Sequence, residues 1–172
     1  MKRIAIAAAL AACAVGAAAQ DKPNPMDVVP DKMPNDIPYG APISLDRAQA
    51  AINAAVAESK KRGWKLNVAV MDSGANLVAF ARMDGAQIGS IAIAEHKARA
   101  AVKYRRETKA FESGVQEGNL HYLLTLDDVI ASRGGIPIVD NGQMVGAVGC
   151  SGGTGSQDEV VCKAGADAVM KR

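Results

Sequence analysis

The chain has 172 residues, 20 of them Lys or Arg and 18 Asp or Glu, and it is 49% hydrophobic but only 3% aromatic. The slight positive excess comes from Lys2 and Arg3 at the N-terminus; the remainder is balanced at 18 of each sign. The clustered basic surplus that nucleic-acid binding requires is therefore absent.

In chain order, Met1-Lys2-Arg3 is followed by an alanine-rich apolar run, Ile4 to Val15, and by Ala17-Ala18-Ala19. A basic start, a short apolar core and a small-x-small site predict a secretory signal peptide over residues 1–19, hence a periplasmic or secreted protein. The run is too short to predict a membrane span. Leu10-Ala11-Ala12-Cys13 resembles a lipoprotein processing box, which leaves lipidation of Cys13 as the alternative. Residues 20–43 hold six of the seven prolines, a density that blocks helix and central strand and predicts an extended leader. Its apolar residues, among them Val28, Met33, Ile37 and Tyr39, suit it to wrap the domain or a neighbouring subunit.

The domain proper is expected over residues 44–172. Ser44 reads as an N-cap, Lys60-Lys61-Arg62 as the basic last turn and Gly63 as the stop of a first helix. Val68–Met71 and Leu77–Ala81 flank Asp72-Ser73-Gly74-Ala75-Asn76, the pattern of a β-hairpin. A second helix follows from Ile88 to Lys103, and a short third one from a cap at Thr108 to Val115. Glu117 to Arg133 predicts a short helical turn and irregular chain. Ile136–Asp140 and Met144–Cys150 form a second hairpin around Asn141-Gly142, and Gln157–Met170 a last helix. The order α-β-β-α-α-β-β-α predicts an α+β fold, with a single mainly antiparallel β-sheet flanked by helices.

The stretches VAVMDSGANLVAFARMDGAQIGSI, HKARAA, RRETKAF, GGIPIV and GAVGCSGGTGSQDE occur in order with regular spacing. With the terminal helix they resemble the haem-binding, haem-degrading-type family of HbpS and GlcG over nearly all of residues 44–170. That resemblance implies a five-stranded, profilin-like antiparallel sheet, a homo-oligomer, and haem as the candidate cofactor. Two departures stand out: Ala75 where relatives often carry glycine, and Ala100 where they often carry threonine.

Several positions are candidates for chemistry. The segment Ser151, Gly152, Gly153, Thr154 precedes a helix, where backbone amides suit an anion such as a small carboxylate or a haem propionate. Against this, a plain strand-to-helix connection capped by Ser156 fits equally, and two acids in the first turn, Asp158 and Glu159, would repel an anion. His96 and His121 are the only histidines and so the imidazole candidates for a haem axial ligand. Lys97 and Arg99 beside His96 suit propionates. Arg82 and Asp84 either contact a ligand or pair with each other at the turn of Gly85. Only six aromatic residues are present, which favours a shallow or inter-subunit site over a deep haem pocket. Cys150 and Cys162 either form a disulfide in an oxidising compartment or stay as two buried thiols. Their spacing suggests no metal site. No Gly-x-Ser-x-Gly or other nucleophile motif is found, so no catalytic residue is assigned. The functional expectation is an exported, oligomeric haem- or small-anion-binding protein, with a haem-degrading enzyme and a structural or interaction module as alternatives.

Overall fold

A computed structural model describes residues 27–171. The expected signal peptide and the first part of the leader lie outside the described residues. Within them, α1 (Leu45–Lys61) is followed by β1 (Asn67–Asp72), β2 (Leu77–Arg82), α2 (Ser90–Lys103) and α3 (Lys109–Gln116). A 3₁₀ turn (His121–Thr125) then leads to β3 (Gly135–Asp140), β4 (Gln143–Ser151) and α4 (Gly155–Asp167). The strands form one antiparallel sheet in the order β2-β1-β4-β3. The sheet has four strands among the described residues, not the five that the resemblance implied. Beyond the end of β1 the leader runs along β4 instead: Met144 N donates to Pro38 O, Gly40 N to Met144 O and Ile43 N to Val145 O. That contact is an isolated parallel bridge at Tyr39 rather than a strand. Tyr39 Oη donates to the carbonyls of Val102 and Lys103, and Arg105 to that of Ile37, so the leader is tied to the end of α2 as well.

Three layers follow from the burial of β1. Val68 and Val70 face α1 and α4 in one core, while Ala69 and Met71 face α2 in another. A strand covered on both faces carries no polar alternation, and β1 is buried from Asn67 to Met71. α2 sits unusually close to the sheet. Gly135 and Gly149 are cross-strand partners. A Cβ on Gly149 would stand 2.1 Å from Ala94 O, and one on Gly135 2.3 Å from Lys97 O. The pair forms a notch that receives the alanine face of α2 (Ala94, Ala98, Ala101). On the other side Cys150 of β4 and Cys162 of α4 are joined by a disulfide inside the core.

Local signals explain most boundaries. Ser44 Oγ accepts from Arg47 N, and Gly63 leaves α1 at φ +69°. Asn141 and Gly142 take positive φ in the tight β3–β4 turn. In the first hairpin Asp72 Oδ1 accepts from the amides of Gly74 and Asn76, while Ala75 is held at φ +64°, where glycine would be unstrained. Two cap assignments are corrected. Thr108 is helical and makes no cap; its hydroxyl accepts from Gly135 N at 2.9 Å and so pins α3 to β3. α4 is capped by Thr154 rather than Ser156, in a reciprocal capping box with Gln157.

Candidate functional site

Asn67 at the start of β1 pairs with Arg82 at the end of β2 and with Ser151 at the end of β4. The β2–α2 loop and the β4–α4 loop are therefore neighbours at one end of the sheet, on either side of β1. They carry most of the candidate residues, in opposite states.

The β4–α4 loop is closed upon itself. Asp158 turns back and accepts from Gly153 N at 3.0 Å, with the Gly152 amide also turned toward it. Gln157 Oε1 accepts from Thr154 N at 2.8 Å. The carboxylate expected from a ligand is supplied by the chain itself. Lys97 reaches the same carboxylate from α2 at 2.7 Å, and both side chains are almost fully buried (1% and 3% exposed). Burial raises the Asp158 carboxyl above its ordinary range, outweighing the attraction of Lys97 and the amide hydrogen bonds. Lys97, singled out for a propionate, is thus committed to Asp158, and Ser151 is buried in the strand end.

The β2–α2 loop is open. Between it and the end of α1 lies a groove of about 490 Å³, which takes in the Arg82-Met83-Asp84 segment. Its apolar walls are Val56, Trp64, Ala81 and Met83, and its charged rim is Lys60, Lys65, Arg82 and Asp84. Trp64 is fixed by two hydrogen bonds with buried Ser59, its amide donating to Ser59 O and its carbonyl accepting from Ser59 Oγ. Met83 N donates to Leu66 O, which ties the loop to the residue before β1. The stem of Lys65 lies over Gly85, whose φ of +74° turns the loop. Arg82 and Asp84 do not pair; among the described residues none of Lys60, Lys65, Arg82 and Asp84 takes part in an ion pair. A second cavity of about 470 Å³, near Arg105, Glu107 and Lys163, differs in this respect. There Arg105 meets Asp36, and Lys163 meets Glu107 and Glu159.

The two histidines are set apart from the groove-lining residues. His96, half-buried on α2, has its Nε2 atom buried without a hydrogen-bond partner. On the same flank Lys103 contacts Asp128, whose carboxyl is held low chiefly by that hydrogen bond, with help from Arg99 and His96. His121 is exposed on the 3₁₀ turn beside exposed Tyr122 and Leu124. Ala100, the second departure, is core: it packs with Phe111 and Leu123. The structure therefore brings Arg82 and Asp84 together with Lys60, Trp64, Lys65 and Met83, which sequence reasoning did not single out. It groups His96 with Arg99 on another flank and removes Lys97 to the interior.

The haem-degrading HbpS-like family model matches residues 43–167. GlcG of Escherichia coli K12 is 40% identical over 109 residues, 63% of this chain and 81% of that protein. The chain belongs to the HbpS-like family. Its fold is also that of HbpS, with a TM-score of 0.71 at 28% identity, covering 80% of this chain and 97% of that one. A complex of PduOC with haem gives a TM-score of 0.68 over 75% of this chain and 96% of that one; at 23% identity this likeness is of fold alone. Among the described residues this HbpS-like chain has no group of three or more His, Cys, Asp or Glu placed to hold a metal ion. For a haem the residues of the His96 flank fit in kind: an imidazole nitrogen can ligate iron once it is uncovered, and Arg99, in no ion pair among the described residues, suits a propionate.

Proposed function

We propose that this chain is an exported, homo-oligomeric protein that binds haem. The observation that carries the reading is the HbpS-like family match over residues 43–167. Support from the chain itself comes from His96, whose buried Nε2 lacks any partner. Leaving such an atom unpaired costs about 1–3 kcal/mol, a cost that a partner from outside the chain would remove. His96 is the first candidate for the axial position and His121 the second. Arg99, on the His96 flank, is the candidate for a propionate on that side. Bound haem would supply redox and oxygen chemistry; the chain's part is to hold the ring and fix its orientation. Export is supported by the N-terminal signal pattern, and no helix among the described residues is long and apolar enough to cross a membrane. An oligomer is supported by exposed apolar side chains, including Ile93 on α2 and Tyr122 and Leu124 on the 3₁₀ turn.

The test is a haemin titration of the protein, followed in the Soret band, with His96→Ala and His121→Ala alongside. Saturable, near-stoichiometric binding that one of the two variants loses is the expected result. A weak, non-saturating change equal in all three would overturn the reading. The family description favours one further reading, that haem is broken down as well as bound. Incubating the complex with a reductant and dioxygen, the oxidant that opens the ring, would then release iron and a linear tetrapyrrole, and a stable Soret band would count against it.

A further inference from the structure

We infer that the groove between the end of α1 and the β2–α2 loop is a binding site for a planar, carboxylate-bearing ring. The site is distinct from the axial histidines and needs no metal. Three observations carry this. First, the groove has both required surfaces: an apolar wall that includes a tryptophan and a thioether, and a rim with three cations against one acid. Second, those cations are uncommitted. Lys60, Lys65 and Arg82 make no ion pair among the described residues. Their neighbour Arg62, by contrast, is bound to Glu58 at 2.5 Å and stacked over Trp64 at 5.1 Å. Third, the walls are preorganised. The Ser59–Trp64 hydrogen bonds fix the backbone that carries the indole, and the Met83–Leu66 bond fixes that of the loop, so a ligand has little main chain left to order.

The chemistry follows from the pairing. A flat ring gains by burying a face against Trp64 and Met83. Its carboxylates gain charge-assisted hydrogen bonds from Arg82 and the two lysines. Asp84 on the rim disfavours a ligand with no separation between its anionic edge and its apolar body. An extended anion without a ring would leave the indole wall unused, and a neutral ring would leave the cations unused. Carboxylates on a planar ring are found on porphyrins and on smaller aromatic acids, and the groove recognises what the two share.

Trp64 is the only tryptophan of the chain, so fluorotryptophan-labelled protein carries a single fluorine resonance, located in the groove wall. Full-length protein would be titrated with isophthalate, with metal-free protoporphyrin IX and with its dimethyl ester. The expected result is a saturable shift with one or both acids and none with the ester, and a loss of affinity of about tenfold in Lys65→Gln/Arg82→Gln. A shift with both acids marks a general aromatic-carboxylate site, and one with the porphyrin alone marks a tetrapyrrole site. No movement with either acid would overturn the inference, as would equal movement with the ester or unchanged affinity in the charge variant. Both substituted residues are exposed, so the variant is expected to keep its fold, which its circular dichroism and melting curve check. Because no iron is involved, the groove can fail while haemin still binds at His96 or His121, and it can hold while neither histidine variant changes haemin affinity, which would sink the axial reading alone.

Discussion

Two glycine-bearing loops flank the start of β1, and they solve the same electrostatic problem in opposite ways. In the β4–α4 loop the free amides and the nearest lysine are all satisfied by one internal carboxylate, Asp158. In the β2–α2 loop the nearest cations have no carboxylate partner among the described residues and face an open groove. The difference teaches that a glycine-rich strand-to-helix turn is not by itself an anion site: what matters is whether a side chain of the same chain has already taken the position. Here Asp158 has, and the loop serves the fold.

The largest expected effect breaks the closed loop. Lys97→Met leaves Asp158 buried without its cation and should cost about 3–5 kcal/mol in urea unfolding. The double variant Lys97→Met/Asp158→Leu should recover most of that loss, because an apolar pair of similar volume replaces a buried ion pair with little penalty. No recovery would mean that the pair does more than hold the loop.

Next is the disulfide that ties β4 to α4 beside this loop. Cys150→Ala/Cys162→Ala should lower stability by about 2–3 kcal/mol under oxidising conditions. With excess reductant the difference between wild type and variant should shrink. An unchanged difference would show that the cost is one of packing, not of the cross-link.

The closed pair also differs in sign from the partly exposed clamps in its pH response. Asp140 is held low chiefly by its hydrogen bonds from Arg47, Glu112 by those from Arg133, and Asp128 by that from Lys103. A carboxyl depressed in the folded state contributes stability that is present above its unfolded value and lost as pH falls through the folded one. The melting temperature should therefore drop below about pH 4. Asp158 is raised by burial, so its contribution is lost as pH rises, and the Lys97→Met/Asp158→Leu double variant should drop at least as steeply in acid as wild type. A flatter acid limb in the double variant would contradict the assignment of Asp158.

The smallest effect lies in the open groove. Lys65→Gln/Arg82→Gln should change stability by no more than about 0.5 kcal/mol, because both side chains are exposed and neither belongs to an ion pair among the described residues. A larger loss would mean that these cations support the fold.

The elements and their order were legible in the sequence because each carries a local signal: the Ser44 cap, the Gly63 stop, the Asn141-Gly142 turn, the helical apolar spacing of α2. Tertiary choices were less so. Thr108 looked like a cap because threonine before a helix usually is one, yet its hydroxyl serves a strand far along the chain. Asp158 looked like a polar first-turn residue, although it folds back five positions onto Gly153. The groove was half legible. Arg82 and Asp84 stood out as loop charges, whereas no local pattern marked Trp64 or Lys65, which follow the stop of α1. The antiparallel pairing of the first hairpin, already expected, was enough to place Arg82 beside the start of β1, and so beside them.

The most direct test of the haem reading and of this contrast together is a Soret titration with haemin on wild type and on Lys97→Met/Asp158→Leu. Saturable binding in both, with affinities equal within about twofold, is the expected result, because the buried lysine is spent on Asp158 and faces no ligand. Loss of haemin binding in a double variant that remains folded would return the site to the glycine loop, and absence of binding in wild type would contradict the haem reading itself.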